Sequence, residues 1–138
     1  MKNLERFKEA HHIYYKRALK EIKKGYKESH WMWFIFPQLE VLGYSDTAKY
    51  YGIKNKEEAI AFLEDEYLGN NLIEITKAVL ELEDNIISVF GEIDELKLQS
   101  SMTLFYLVSG NTLFKQVLDE FYNGVLDLKT VKFLDGNN

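Results

Sequence analysis

Trp31 to Phe36 is a run of six consecutive large apolar residues that leaves no polar face, so whatever backbone it adopts must be covered on every side. It holds both tryptophans of the chain, and Pro37, the single proline, follows it directly. Proline disfavours helical geometry at the residue before it. The run therefore reads as a short buried helix, capped by Ser29, that breaks into extended chain at Phe36-Pro37-Gln38. Buried indoles need partners for their N–H groups, and so does a glutamine set straight after a proline kink. Polar groups must converge on this stretch, which His30 and Gln38 frame.

A chain of 138 residues can cover such a run, because at this length roughly two thirds of the unfolded surface is buried on folding. A hydrophobic content of 46%, with 14% aromatic, places it among globular proteins, since a disordered segment could not bury enough apolar area to offset its ordering entropy. With no cysteine there is no disulfide framework, thiolate metal site or cysteine nucleophile. Met1 to Glu5 lacks the apolar stretch of a signal peptide, and the longest uncharged apolar run, Trp31 to Pro37, is far short of the roughly 20 residues that span a bilayer. These features predict one cytoplasmic domain over residues 1–138, away from the membrane.

The net charge of -5 is unevenly spread. Residues 1–30 carry nine Lys/Arg against four Asp/Glu, and the rest eight against eighteen, so a basic opening segment of +5 meets a body of -10. Lys16, Lys20, Lys23 and Lys27 fall at helical spacing and form a ridge that could meet an acidic protein partner, or simply be a solvated face turned to the acidic remainder. The acidic total and the lack of a nucleic-acid motif disfavour RNA or DNA.

All eight glycines punctuate apolar-periodic segments, as expected where each supplies a left-handed turn. Leu4, Phe7, His11, Tyr15, Ala18, Leu19 and Ile22 recur at three and four and predict a helix over 3–24. Ser45 caps a short helix ending before Gly52, and Asn55 with Glu58 has the polarity of a capping box opening a helix over 56–65. Leu68, Leu72, Ile75, Val79 and Leu82 form another stripe, and "NIISVFG" follows as a short apolar piece. Asp94 is the expected cap of a helix from Glu95 to about Val108, Thr112 of one from Leu113 to about Tyr122, and Thr130 starts a last turn. No sustained two-residue alternation or hairpin signal occurs. The prediction is an all-α, compact single domain of seven or eight helices in a non-bundle multihelical array.

The blocks "HWMWFIFPQ" (His30 to Gln38) and "LGYS" (Leu42 to Ser45) resemble the signature of a bacterial family called domain of unknown function 1810. "YGI" (Tyr51 to Ile53), "EA" (Glu58, Ala59), "YLG" (Tyr67 to Gly69), "DELKLQSSMTLF" (Asp94 to Phe105), "LFKQVL" (Leu113 to Leu118) and "GVLDLKTVKFL" (Gly124 to Leu134) are similar to its later blocks, in order. The resemblance implies a compact, mainly helical domain and no established activity. The chain departs from the pattern at His11, where glutamine is usual, at Val41, where glycine is usual, and at Asp65-Glu66, where His-Pro is usual. Asn71 and Gln99 stand in place of basic residues.

On a helix, Asp94, Lys97 and Ser101 lie on one face and Ser100 and Thr103 on the next. Lys97 could bind a phosphate or carboxylate together with the hydroxyls, or serve Ser100 or Ser101 as a base; alternatively Asp94 caps and pairs with Lys97 while the hydroxyls bond back to their own helix. His11 and His12 are adjacent, point about 100° apart and cannot share a metal, so no metal site and no cofactor is expected. His30 adjoins the aromatic run, where Glu28 or Asp94 could set its protonation. The site expected from these residues has His30 and Lys97 as acid–base candidates and Trp31, Trp33, Gln38, Ser100 and Ser101 as ligand contacts around an aromatic-walled cleft. A small anionic or nucleotide-like molecule, with N-glycosidic hydrolysis as one possible reaction, suits it; a protein-interaction module built on the basic first helix is the alternative, and whether any catalysis occurs stays open.

Overall fold

The apolar stripe of the opening segment becomes α1 (Glu5–Lys24) in the computed structural model, which describes residues 4–136. Phe7, Ala10, His11, Tyr15, Ala18 and Ile22 form its buried face. The chain continues through α2 (Met32–Ile35), a 3₁₀ turn at Glu40–Leu42, α3 (Asp46–Tyr51), α4 (Lys56–Glu64), α5 (Glu66–Leu80), α6 (Ile86–Phe90), α7 (Glu92–Ser109), α8 (Thr112–Tyr122) and α9 (Leu128–Gly136). The all-α class holds, with nine helices among the described residues rather than seven or eight. The excess comes from α6, a one-turn piece in "NIISVFG" whose sequence is too short to show a helical period.

Two long helices organise the rest. One flank of α1 packs on α5 and α2, while α7 packs on α8, α4, α6 and α9. A row of rings joins the two halves: Phe62 of α4 meets Phe7 of α1 edge-on at 5.0 Å and Phe105 of α7 at 5.7 Å, and Phe105 meets Phe114 of α8 at 5.9 Å. All four rings are fully buried. A second cluster gathers Trp31, Phe36 and Phe90 with centroids 6.1 to 6.3 Å apart, so the apolar run is covered from several elements at once.

As expected, the helix breaks at Phe36 and extended chain follows Pro37. There Ile53 donates its N–H to the Gln38 carbonyl and Glu40 donates to the Ile53 carbonyl, both at 2.8 Å, an isolated parallel bridge in a molecule whose described residues contain no strand. Gly52 permits that approach, because a Cβ there would lie 2.4 Å from the Glu40 Cα. Positive φ occurs at only four of the glycines, Gly25, Gly91, Gly110 and Gly124; Gly43 and Gly52 serve close contact instead.

Several caps differ from expectation by one to three residues. Ser45 and Asn55 cap α3 and α4 as predicted, through the N–H groups of Ala48 and Glu58. Ser29 does not cap α2, because its hydroxyl is taken by Glu21. Gly91, not Asp94, precedes α7, which puts Asp94 inside the first turn. Asn111 rather than Thr112 caps α8, and Asp127 starts α9 by accepting from Thr130. Asp65, one of the departures from the family pattern, caps α5 through Leu68 N–H.

A buried ion pair fastens α1 to the chain between α3 and α4. Arg6 donates to both carboxylate oxygens of Glu58 at 3.1 and 3.2 Å and to the carbonyls of Tyr50 and Gly52, and Glu58 in turn accepts the Lys54 N–H. Both side chains are buried, so removing one leaves the other charge without compensation. Glu58→Ala is expected to lower stability by about 3–5 kcal/mol in urea titration; a loss below about 1 kcal/mol would show that the Arg6 guanidinium is held without it.

Candidate functional site

The site grows from the way the chain leaves α1. Beyond Gly25, residues 26–31 fold back on the last turn of the helix and are held there by one carboxylate. Glu21 accepts the N–H groups of Glu28 and Ser29 and the Trp31 indole N–H through Oε1, at 2.8 to 3.0 Å, and the Ser29 hydroxyl through Oε2 at 2.6 Å. Burial by itself opposes its ionisation, but these four donors outweigh burial and hold the carboxyl near pKa 2. This is the partner that a buried Trp31 requires, and sequence reasoning missed it. The available signal was spacing: Glu21 continues the buried stripe three residues beyond Ala18.

Lys27 is carried inward by the same fold. Its side chain is 6% exposed, with Nζ 2.7 Å from Asp94 Oδ2, bonded to the Ser29 carbonyl and 4.9 Å from the centre of the Trp31 ring. Asp94 Oδ1 also accepts from Lys97, at 3.1 Å. Burial pushes the Asp94 carboxyl up, but bonding and attraction from Lys27 and Lys97 win and hold it below the usual carboxylate range. Two ammonium groups thus share one carboxylate, leaving a positive charge over at Lys97, whose side chain is 28% exposed.

Two clefts meet at Lys97 and Trp33. The first, about 230 Å³, is lined by His30, Trp33, Ser45 and Thr47 around the Lys27–Asp94–Lys97 cluster. The second, about 400 Å³, is lined by Gln38, Leu42, Ile93, Leu96, Ser100 and Leu128 and by the charged Asp127 and Lys129. Gly43 lets the 3₁₀ turn close against the dividing wall, since a Cβ there would lie 2.6 Å from the Trp33 ring. Thr103 fixes α9 beside α7 by donating to the Gln99 carbonyl and accepting the Asp127 N–H, which sets Leu128 at the cleft.

The expected site residues divide between these clefts. His30 stands exposed at the first, with no hydrogen bond or ion pair to Glu28, Asp94 or any other described residue; Glu28 pairs with Lys24. Gln38 lines only the second, so Lys97 is the polar group common to both. Trp31 borders the first cleft but is fully buried, with Lys27 over its ring, so it offers little face for a ligand to stack on. Ser100 lines the second cleft, but its hydroxyl donates to the Leu96 carbonyl at 3.2 Å. Ser101 lines neither cleft; it is fully buried and its hydroxyl has no partner among the described residues. No hydrogen bond joins either serine to Lys97, so a serine–lysine nucleophile is not assembled. The basic ridge shrinks as well, because Lys27 is drawn inside while Lys16, Lys20 and Lys23 stay exposed. Lys27, Ser45, Thr47, Ile93, Leu96 and Leu128 were not foreseen here.

Two departures from the family pattern prove to be neighbours. His11 donates from Nε2 to the Phe34 carbonyl at 2.8 Å, which leaves Nδ1 to accept from Asn71 Nδ2 at 3.0 Å. Burial is the main cause that lowers its pKa, to about 4, so the ring is a neutral strut between α1, α2 and α5.

The profile of a family described as "Protein of unknown function (DUF1810)" matches residues 1–134. Among solved structures, the chain is similar to the conserved hypothetical protein Rv1873 from Mycobacterium tuberculosis, at 42% identity over 96% of each chain and a TM-score of 0.94. No curated protein matches it.

Acid should destabilise the protein over two pH windows. Between pH 6.5 and about 4 the unfolded His11 takes a proton that the folded one refuses; between 4.5 and about 2 the unfolded Glu21 does so. In both windows the unfolded chain binds more protons, so stability falls as pH falls, by about 3 kcal/mol in each. Urea midpoints measured from pH 7 downward should show both losses, and His11→Gln should flatten the upper one alone; an unchanged upper slope in that variant would refute the assignment.

Proposed function

The chain belongs to the DUF1810 family, described as one of unknown function, and from that premise we propose that it is a single cytoplasmic domain that binds a small, anionic, nucleotide-like molecule where the two clefts meet. The observation that carries this reading is the charge cluster. Asp94 neutralises only one of the two ammonium groups bonded to it, and Lys97, the more exposed of them, borders both clefts. A partly buried cation beside Ser45, Thr47 and His30 suits a phosphate, whose oxygens take N–H and O–H donors and whose charge is attracted more strongly where water is partly excluded. His30 is the group placed to exchange a proton with such a ligand. Ser100 is engaged with its own helix and Lys97 with Asp94, which favours binding over covalent chemistry.

The rival reading, an acidic protein partner on the first helix, retains three of its four lysines. Thermal unfolding separates the two. At roughly ten times its dissociation constant, a bound ligand should raise the melting temperature by about 5 °C for a domain of this size. Inorganic pyrophosphate, ribose 5-phosphate and nucleotides are the probes. The rise should vanish in Lys97→Met and persist in Lys20→Glu/Lys23→Glu; no shift with any probe at millimolar concentration refutes the proposal.

A further inference from the structure

The second cleft holds a polar group that the anion site leaves unused. Gln38 is 4% exposed, and its main chain is fixed by the bridge to Ile53. Its side-chain carboxamide, by contrast, has no hydrogen-bond partner among the described residues and borders the cleft. The buried side-chain polar atoms without a partner among the described residues are the Thr76 and Ser101 hydroxyls, so the Gln38 amide, though deep, is reachable from the cleft and can exchange water for whatever enters it. Ile93, Leu96 and Leu128, 72%, 56% and 69% exposed, line the same cleft beside the Trp33 ring, with Lys97, Asp127 and Lys129 as its charged groups. Apolar side chains beside a carboxamide suit a flat ring with a polar edge.

A glutamine amide offers one acceptor and one donor side by side, and its complement is a ring edge with an adjacent donor and acceptor, as nucleobases carry. Resting on the anion reading of the first cleft, we infer that the second cleft receives the heterocycle of the same ligand, that Gln38 reads its donor–acceptor edge, and that Lys97, shared by both clefts, takes the phosphate side. Gln38 would then select among ligands that the charge cluster alone could not distinguish.

Calorimetric titration with ribose 5-phosphate and the 5′-monophosphates of adenosine, guanosine, cytidine and uridine tests this. At least one nucleotide should bind roughly tenfold tighter or more than ribose 5-phosphate, the advantage expected of a bidentate pair. Gln38→Met, similar in size but without the amide, should lose that advantage, keep the ribose 5-phosphate affinity and melt no lower than the parent. Gln38→Glu, which exchanges the donor for a second acceptor, should lose the advantage too. Nucleotides binding no tighter than ribose 5-phosphate would overturn the inference and leave the anion site standing, whereas absence of all binding would remove both. A Gln38→Met variant that melts about 10 °C lower, or that keeps the full nucleotide preference, would assign the amide a structural role instead.

Discussion

The Glu21 carboxylate is the constraint on which the surrounding architecture depends. A chain leaving a helix must satisfy the backbone N–H groups of its exit segment, and here a single anion accepts two of them together with a serine hydroxyl and an indole N–H. Because those donors converge on one buried point, residues 28–31 have little freedom to move. Trp31 is thereby seated against Phe36 and Phe90, and the apolar run enters the core on a fixed path.

The consequences extend to the charge cluster. With Trp31 in place, a cation–π contact holds Lys27 over its ring, and from there Lys27 reaches Asp94 on α7, so an ion pair joins the N-terminal and C-terminal halves of the chain. Asp94 can hold two lysines only because it lies inside the first turn of α7, where Lys97 follows at helical spacing. Had Asp94 capped the helix, its oxygens would have been spent on backbone N–H groups. A displacement of three residues thus separates a cap from an electrostatic hub.

Much of the fold was legible in local pattern. The stripe from Leu4 to Ile22, the Ser45 and Asn55 caps and the break at Pro37 depend on residues within a few positions of one another, and periodicity and proline geometry capture them. The site was legible only as a list. Lys97 and Gln38 belong to the clefts, yet His30 and Gln38 were expected together and lie in different ones, and Ser101, adjacent to Ser100, points to none. Neighbouring helix positions face about 100° apart, so which serine meets a cleft depends on what packs on each side of α7.

By itself the sequence determined an all-α chain, the burial of Trp31 to Phe36, the extended turn after Pro37 and the need for polar partners near the indoles, because each follows from local sterics or from the cost of an unpaired buried group. Only the tertiary structure decided which groups those partners are. Glu21 and Trp31 are ten residues apart, Lys27 and Asp94 sixty-seven, and His11 and Asn71 sixty. Such pairings come from the global packing of helices, and no periodicity along the chain encodes them. The residual positive charge at Lys97 and the unpaired amide of Gln38 arise at the same level, since each depends on what distant elements supply or withhold.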